Sequence, residues 1–153
     1  MLKKLSLLVF IAFLSFVVFA DDKKKVPMEN NRKNIGSYFE IPVANLERAM
    51  NFYSSVFECE FSREDIHGNE MALFPFNGKN SGITGALAKG NTYKPSIEGT
   101  LIYLSTDSIE KVLKKVALHG GEVLFPRTAA GEYGFVAEFK DLEGNRIALF
   151  ESD

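Results

Sequence analysis

Between Tyr38 and Phe57 the hydrophobic period of the chain changes once. Tyr38, Glu40 and Pro42 alternate with Phe39, Ile41 and Val43, the two-residue period of a strand. Asn45 then offers a side-chain oxygen to an orphan helical N–H. Leu46, Ala49, Met50, Tyr53, Val56 and Phe57 return every three or four residues on one face. The stretch predicts a strand over 36–43, a tight turn and an amphipathic helix over 46–57. Three more strands are expected over 59–64, 70–76 and 83–88, separated by Gly- and Asn-bearing turns at 65–69 and 77–82.

The same order returns after a polar loop at 89–98. A strand over 100–105 leads to Asp107, which is expected to cap a second helix, with Glu110 completing a capping box three residues on. Ile109, Val112, Leu113, Val116 and Ala117 form its apolar face and Lys111, Lys114 and Lys115 its wet one. Gly120-Gly121 stops it. Strands follow over 122–125, 135–139 and 146–150, with a loop over 126–133 and a turn at 141–145. Leu46-Glu47-Arg48-Ala49-Met50 overlies Ile109-Glu110-Lys111-Val112-Leu113 at an offset of 63, and the run from Gly82 to Leu87 overlies that from Gly144 to Leu149 at an offset of 62. Two matches at nearly one offset, in the same structural slot, describe a duplicated βαβββ module, 35–88 and 99–152.

Composition adds little to the fold but places the chain. Lys3 and Lys4 precede an almost wholly apolar run from Leu5 to Ala20, and Val18-Phe19-Ala20 puts small residues at the cutting positions of a secretory signal. Residues 1–20 are therefore expected to be removed, the alternative being an uncleaved membrane anchor for which the run is short, leaving a polar leader at 21–34 and a domain at 35–152, periplasmic or secreted and free of the membrane once cut. Removal takes the formal charge from −2 to −4. Such a balance, with no basic face, excludes a nucleic-acid partner. The single cysteine, Cys59, permits no internal disulfide and reads as a small apolar residue beside Phe57 and Phe61. His67, in a turn, and His119, at a helix end, read as surface residues.

Phe39-Glu40-Ile41-Pro42, Leu46-Glu47-Arg48-Ala49 with Asn51-Phe52-Tyr53, Gly120-Gly121, and the closing Asp141-Leu142-Glu143-Gly144-Asn145-Arg146-Ile147-Ala148-Leu149 together resemble the vicinal oxygen chelate superfamily, the glyoxalase, bleomycin-resistance and dioxygenase group. The resemblance covers about 35–151, essentially all of the mature domain. It implies an α+β fold, two paired βαβββ modules forming a curled mixed sheet around a cleft, in a monomer or a homodimer. In metal-dependent relatives it also implies one divalent ion held by His, Glu or Gln from the first, fourth, fifth and eighth strands. Here those slots fall on Tyr38, Ala86, Leu101 and Ala148. Alanine and leucine carry no ligand atom and a neutral phenol is a poor one, so neither metal nor cofactor is expected.

What remains is a cleft without its ion. Phe39 and Ile41 are expected under the first helix, which turns Tyr38 and Glu40 into the cleft. Likewise Leu101 and Tyr103, Ala86 with Thr84, and Ala148 with Phe150 are expected to line it. An aromatic cleft with small residues and one carboxylate suits a small aromatic or amphipathic ligand. The alternative is a metal-free isomerase or lyase using Glu40 with Tyr38 or Tyr103 as acid and base, and a metal-dependent lyase or dioxygenase ranks below it. A third reading is a protein that kept the fold and lost the site. Tyr93 and Lys94, and from the other side Arg127 and the 129–134 loop, are placed to cover the cleft. A buried Glu40 facing an open cavity would favour binding or catalysis, and a surface Glu40 with a collapsed cleft a structural role.

Overall fold

The computed structural model describes residues 36–76, 78 and 82–153, all in one compact unit. The expected signal peptide, the polar leader and most of the turn at 77–82 lie outside the described residues. The elements run β1 (Tyr38–Pro42), α1 (Leu46–Phe57), β2 (Ser62–Ile66), β3 (Asn69–Leu73) and β4 (Thr84–Lys89), then β5 (Ile102–Ser105), α2 (Ile109–Leu118), β6 (Glu122–Ala129), β7 (Phe135–Lys140) and β8 (Arg146–Glu151). A short 3-10 turn, Gly131–Tyr133, precedes β7.

Each half builds its own four-stranded sheet, ordered β1-β4-β3-β2 and β5-β8-β7-β6. In both, the strand that precedes the helix pairs in parallel with the last strand of the module, and the other pairings are antiparallel. The fold is α+β with two βαβββ modules. The two sheets share no strand pairing; α1 and α2 meet across the modules. One hydrophobic core joins both helices to one face of each sheet: Ile41, Ala72 and Leu87 from the first, Ala137, Phe139, Ile147 and Leu149 from the second. Phe52 of α1 packs its ring on Phe139 at 6.2 Å. Fully burying each large apolar side chain of this core contributes about 1.5–3 kcal/mol.

The helix ends show why the chain turns where it does. Asn45 caps α1 as expected, its side chain accepting the Arg48 N–H at 3.0 Å. Glu58 ends the helix in a left-handed conformation and donates its N–H to Ser54. At α2 the expected cap moves by one residue. Ser108, not Asp107, accepts the Lys111 N–H. Glu110 is thereby shifted out of capping-box register, and the carboxylate at this helix start comes from Glu151, which accepts the Ile109 N–H at 2.7 Å. Gly120, at φ +89°, closes α2, with Gly120 N–H on Ala117 and Gly121 N–H on Val116, a paired bonding that requires the left-handed residue glycine supplies.

Several strand boundaries differ from expectation: β1 begins at Tyr38 and β3 ends at Leu73, inside the expected 36 and 76. β2 starts later and runs to Ile66, because His67 and Gly68 alone make the turn, both with positive φ (52° and 81°). Such a two-residue turn matches strand twist and shortens the loop. β5 starts at Ile102, leaving Leu101 just before it. β6 continues through Pro126 to Ala129, where a loop was expected. It is an edge strand with two register shifts, so a residue without an N–H costs the sheet nothing there. At Gly85 a β-carbon would lie 2.3 Å from the Phe39 carbonyl, so β1 and β4 pass too closely for any other residue.

The two most recognisable sequence marks form one clasp between the modules. The Tyr53 hydroxyl at the end of α1 donates to buried Asp141 at 2.8 Å. Asp141 also accepts the backbone N–H groups of Glu143 and Asn145 and the Asn145 side-chain amide. That amide donates in addition to the Pro42 carbonyl at the end of β1. Glu143 reaches the start of α1, accepting the N–H groups of Ala44 and Asn45 and the Arg48 side chain. Burial raises the Tyr53 phenol well above its ordinary value, reinforced by the Asp141 charge, which keeps it a donor.

Candidate functional site

Strand alternation turns two faces away from the helices. On the first sheet, register sets Tyr38 beside Thr84, Glu40 beside Ala86, and Ala86 beside Leu73. Met71, Ala86 and Ala88 are buried as a separate apolar cluster, with Leu73 and Tyr93 packed against it. Glu40 stands over this floor with its carboxylate exposed, accepting the Tyr93 O–H at 2.7 Å. Tyr38 flanks it, 44% exposed. Burial first, then the Glu40 charge, raise the Tyr38 phenol above its ordinary value. The hydrogen bond to Glu40 is the main cause of a similar rise at Tyr93. Both phenols stay neutral near pH 7.

On the second sheet Ala148 lies between Tyr103 and Glu138 in register. Ala148 is fully buried and Tyr103 is 53% exposed. Glu138 binds Arg146 through two hydrogen bonds of 2.7 and 2.8 Å, a bidentate pair that neutralises the carboxylate.

Of the eight residues expected on one cleft, Tyr38, Glu40, Thr84 and Ala86 are thus brought together on the first face, and Tyr103 and Ala148 on the second. Leu101 precedes β5 and is half-buried. Phe150 lines an open groove of about 930 Å³ between α2 and the end of α1, together with Phe57, Val112 and Lys111. Both charge signs meet in that groove, where Lys115 pairs with Glu58, so it has no evident ligand preference.

Of the two alternatives for Glu40, the structure has the solvent-facing carboxylate and not the buried acid. Other side-chain expectations change. Tyr93 covers the first face, whereas its neighbour Lys94 is exposed. Arg127 does not reach the free face. It lies over the Phe135 ring at 3.2 Å and bonds Glu151, on the side of the sheet that carries α2, because β6 extends as a strand and fixes its direction. The second face is not bare of charge either: Glu138 and Arg146 were missed. Period-two reading of Phe135–Lys140 and Arg146–Glu151 puts both on the side of Ala148, and was the signal available. Cys59 is half-buried, and desolvation raises its thiol above the ordinary value, so the reactive thiolate is disfavoured.

Among the described residues no group of three or more His, Cys, Asp or Glu side chains is placed to hold a metal ion. At the slots that the family resemblance assigns to ligands, Ala86 and Ala148 present fully buried methyl groups, the first inside an apolar cluster. These residues do not fit a divalent ion.

Residues 36–149 match the profile of the Glyoxalase/Bleomycin resistance protein/Dioxygenase superfamily. A "Glyoxylase-like domain-containing protein" from Didymella fabae is 28% identical over 117 residues, spanning 74% of this chain and 90% of that protein. The fold is similar to that of a glyoxylase/bleomycin resistance protein/dioxygenase domain from Frankia sp. EAN1pec, with TM-score 0.62, 14% identity and coverage of 80% of this chain and 100% of that one. It is also similar to an antibiotic binding protein from Streptomyces sp. CB03234, with TM-score 0.57, 20% identity and coverage of 79% and 98%. With the module topology, the clasp and the family match in agreement, the chain belongs to the glyoxalase/bleomycin resistance protein/dioxygenase superfamily.

Proposed function

We propose that this protein binds a small aromatic or amphipathic molecule without a metal and without turning it over. The observation that carries the reading is the pair of helix-free faces, each an exposed tyrosine over a fully buried alanine at a slot where metal-dependent relatives need a ligand. A tyrosine ring offers a flat surface for stacking, and alanine leaves depth beneath it. The antibiotic-binding neighbour from Streptomyces is one precedent for binding on this fold, though fold alone does not carry function.

Catalysis by Glu40 with Tyr38 has less support. Acid–base work near neutrality needs a pKa near the working pH, and Tyr38 shifts upward, away from it. An exposed Glu40 also lacks the dry setting such a role requires.

The faces belong to sheets that share no strand pairing, so one chain does not close a cleft by joining them edge to edge. A second copy, laying its Tyr103 face over the Tyr38 face of the first, would exclude water from both. We place the protein as a homodimer acting outside the cytoplasm, the location that the apolar run from Leu5 to Ala20 supports.

The test is calorimetry of the purified chain with a panel of aromatic amphiphiles, with and without a chelator, beside Tyr38→Ala and Tyr103→Ala. Binding that survives the chelator and weakens in both variants supports the reading. Binding lost with the chelator, or untouched by both variants, overturns it. Sedimentation showing a monomer at the binding concentrations would remove the second copy.

A further inference from the structure

The two free faces differ in charge, and the difference points to a ligand class for the first. Glu138 is matched by Arg146 through two hydrogen bonds. Glu40 is held only by a neutral phenol, Tyr93, and pairs with no cation among the described residues. Lys89 on the adjoining strand is engaged by Glu70, and exposed Lys94 makes no ion pair with Glu40. Tyr38, two residues before Glu40 on the same face, lies near enough to feel its charge, and Tyr93 feels both. Beneath them the floor is Met71, Leu73, Ala86 and Ala88, side chains that offer an apolar bed.

We propose that the Tyr38–Glu40–Tyr93 face takes an organic ammonium, an amine or quaternary amine carried on an aromatic or apolar body. The inference rests on the binding reading above and names the chemistry of its ligand. A cation over a tyrosine face is drawn to the negative side of the ring, and more strongly once water is excluded. Glu40 supplies the opposite formal charge within the same face. The apolar floor accepts the body of the molecule. An anion meets Glu40 as a like charge, and a neutral molecule leaves the carboxylate without a counter-charge as it is desolvated, a cost that an ammonium removes.

The experiment titrates the full chain with phenyltrimethylammonium, with its neutral isostere tert-butylbenzene and with benzenesulfonate, following tyrosine ring resonances by NMR. Glu40→Gln is compared with wild type; glutamine keeps an oxygen acceptor for Tyr93 at an exposed position, so the fold is retained. Glu132→Gln, in the 3-10 turn of the second module, controls for net charge. The expected result is that the ammonium moves the Tyr38 and Tyr93 resonances and binds about tenfold more weakly to Glu40→Gln, with Glu132→Gln unchanged. If the isostere binds as well as the ammonium and Glu40→Gln changes neither, the face binds but the ammonium assignment is overturned. If neither the ammonium nor the isostere moves a tyrosine resonance, the binding reading itself fails at this face and takes the assignment with it.

Discussion

The two modules have the same strand order, the same parallel pairing of the strand before the helix with the last one, and an alanine at the same slot of the free face. Their polar groups have diverged. The first face has a carboxylate held by a phenol from the connecting segment, and the second a carboxylate neutralised by an arginine two residues before Ala148. The helix ends differ in the same way. Both helices start against a carboxylate, yet both carboxylates, Glu143 and Glu151, belong to the second module. Backbone geometry tolerates many side chains, so it outlasts the polar residues laid on it. A carboxylate's partner is set by whichever side chain the local register puts within about 3 Å, and one substitution changes it.

The largest test of this asymmetry is Asp141→Ala. If the second module's turn supports the first module's helix, losing the acceptor shared by Tyr53, Asn145 and the turn backbone should cost about 3–5 kcal/mol, measured by urea unfolding. A loss under about 1 kcal/mol would mean the modules hold together through the apolar core alone. Tyr53→Phe isolates one strand of that support and should cost about 1.5–3 kcal/mol, the range for a bond to a charged group.

Glu143→Gln sharpens the comparison at the start of α1, with an expected loss of about 0.5–2 kcal/mol near neutrality. Partial burial opposes ionisation of Glu143, but the Arg48 hydrogen bond and the amides of Asn45 and Ala44 outweigh it and hold the carboxyl below its ordinary value of 4.5. A depressed folded pKa contributes stability that is present above the unfolded value and lost as pH falls through the folded one. Wild type should therefore lose stability as pH drops below about 4.5, and Glu143→Gln should lose less over the same range. Unfolding midpoints from pH 7 to pH 3 would decide this, and parallel curves would remove Glu143 from the account.

The smallest effect on stability is expected from Arg146→Gln. The pair is partly exposed and screened, so its loss should cost under about 1 kcal/mol. It also gives the second face an unmatched carboxylate, as the first has now. Phenyltrimethylammonium should then move the Tyr103 resonance further than it does in wild type. If Tyr103 stays still in the variant, charge alone does not distinguish the faces.

Much of the scaffold was legible in the chain. The 3.6-residue period of α1, the Asn45 cap, the glycine stop of α2 and the repeat at an offset of 62–63 are local signals, and each element follows from residues within one or two turns of it. Strand ends were less legible. β6 keeps going past Pro126 because it is an edge strand, and edge position is not written in the strand itself. At α2 the cap is Ser108 and not Asp107, and the Ile109 N–H is taken by a distant carboxylate, Glu151, that no local pattern announces. Which residues share a face followed from alternation, and so placed Tyr38 with Glu40 and Tyr103 with Ala148.

By itself the sequence determined the fold family, the duplicated module and the apolar residues, Ala86, Leu101 and Ala148, at three of the metal slots, since these depend on residue type and short-range period. Only the tertiary structure decided which charges are matched. Tyr93 meets Glu40 across 53 residues, Arg127 turns to Glu151, and Tyr53 meets Asp141 across 88. Hydrogen bonds act over about 3 Å, whereas sequence patterns specify direction and period but not which distant side chain arrives within that reach.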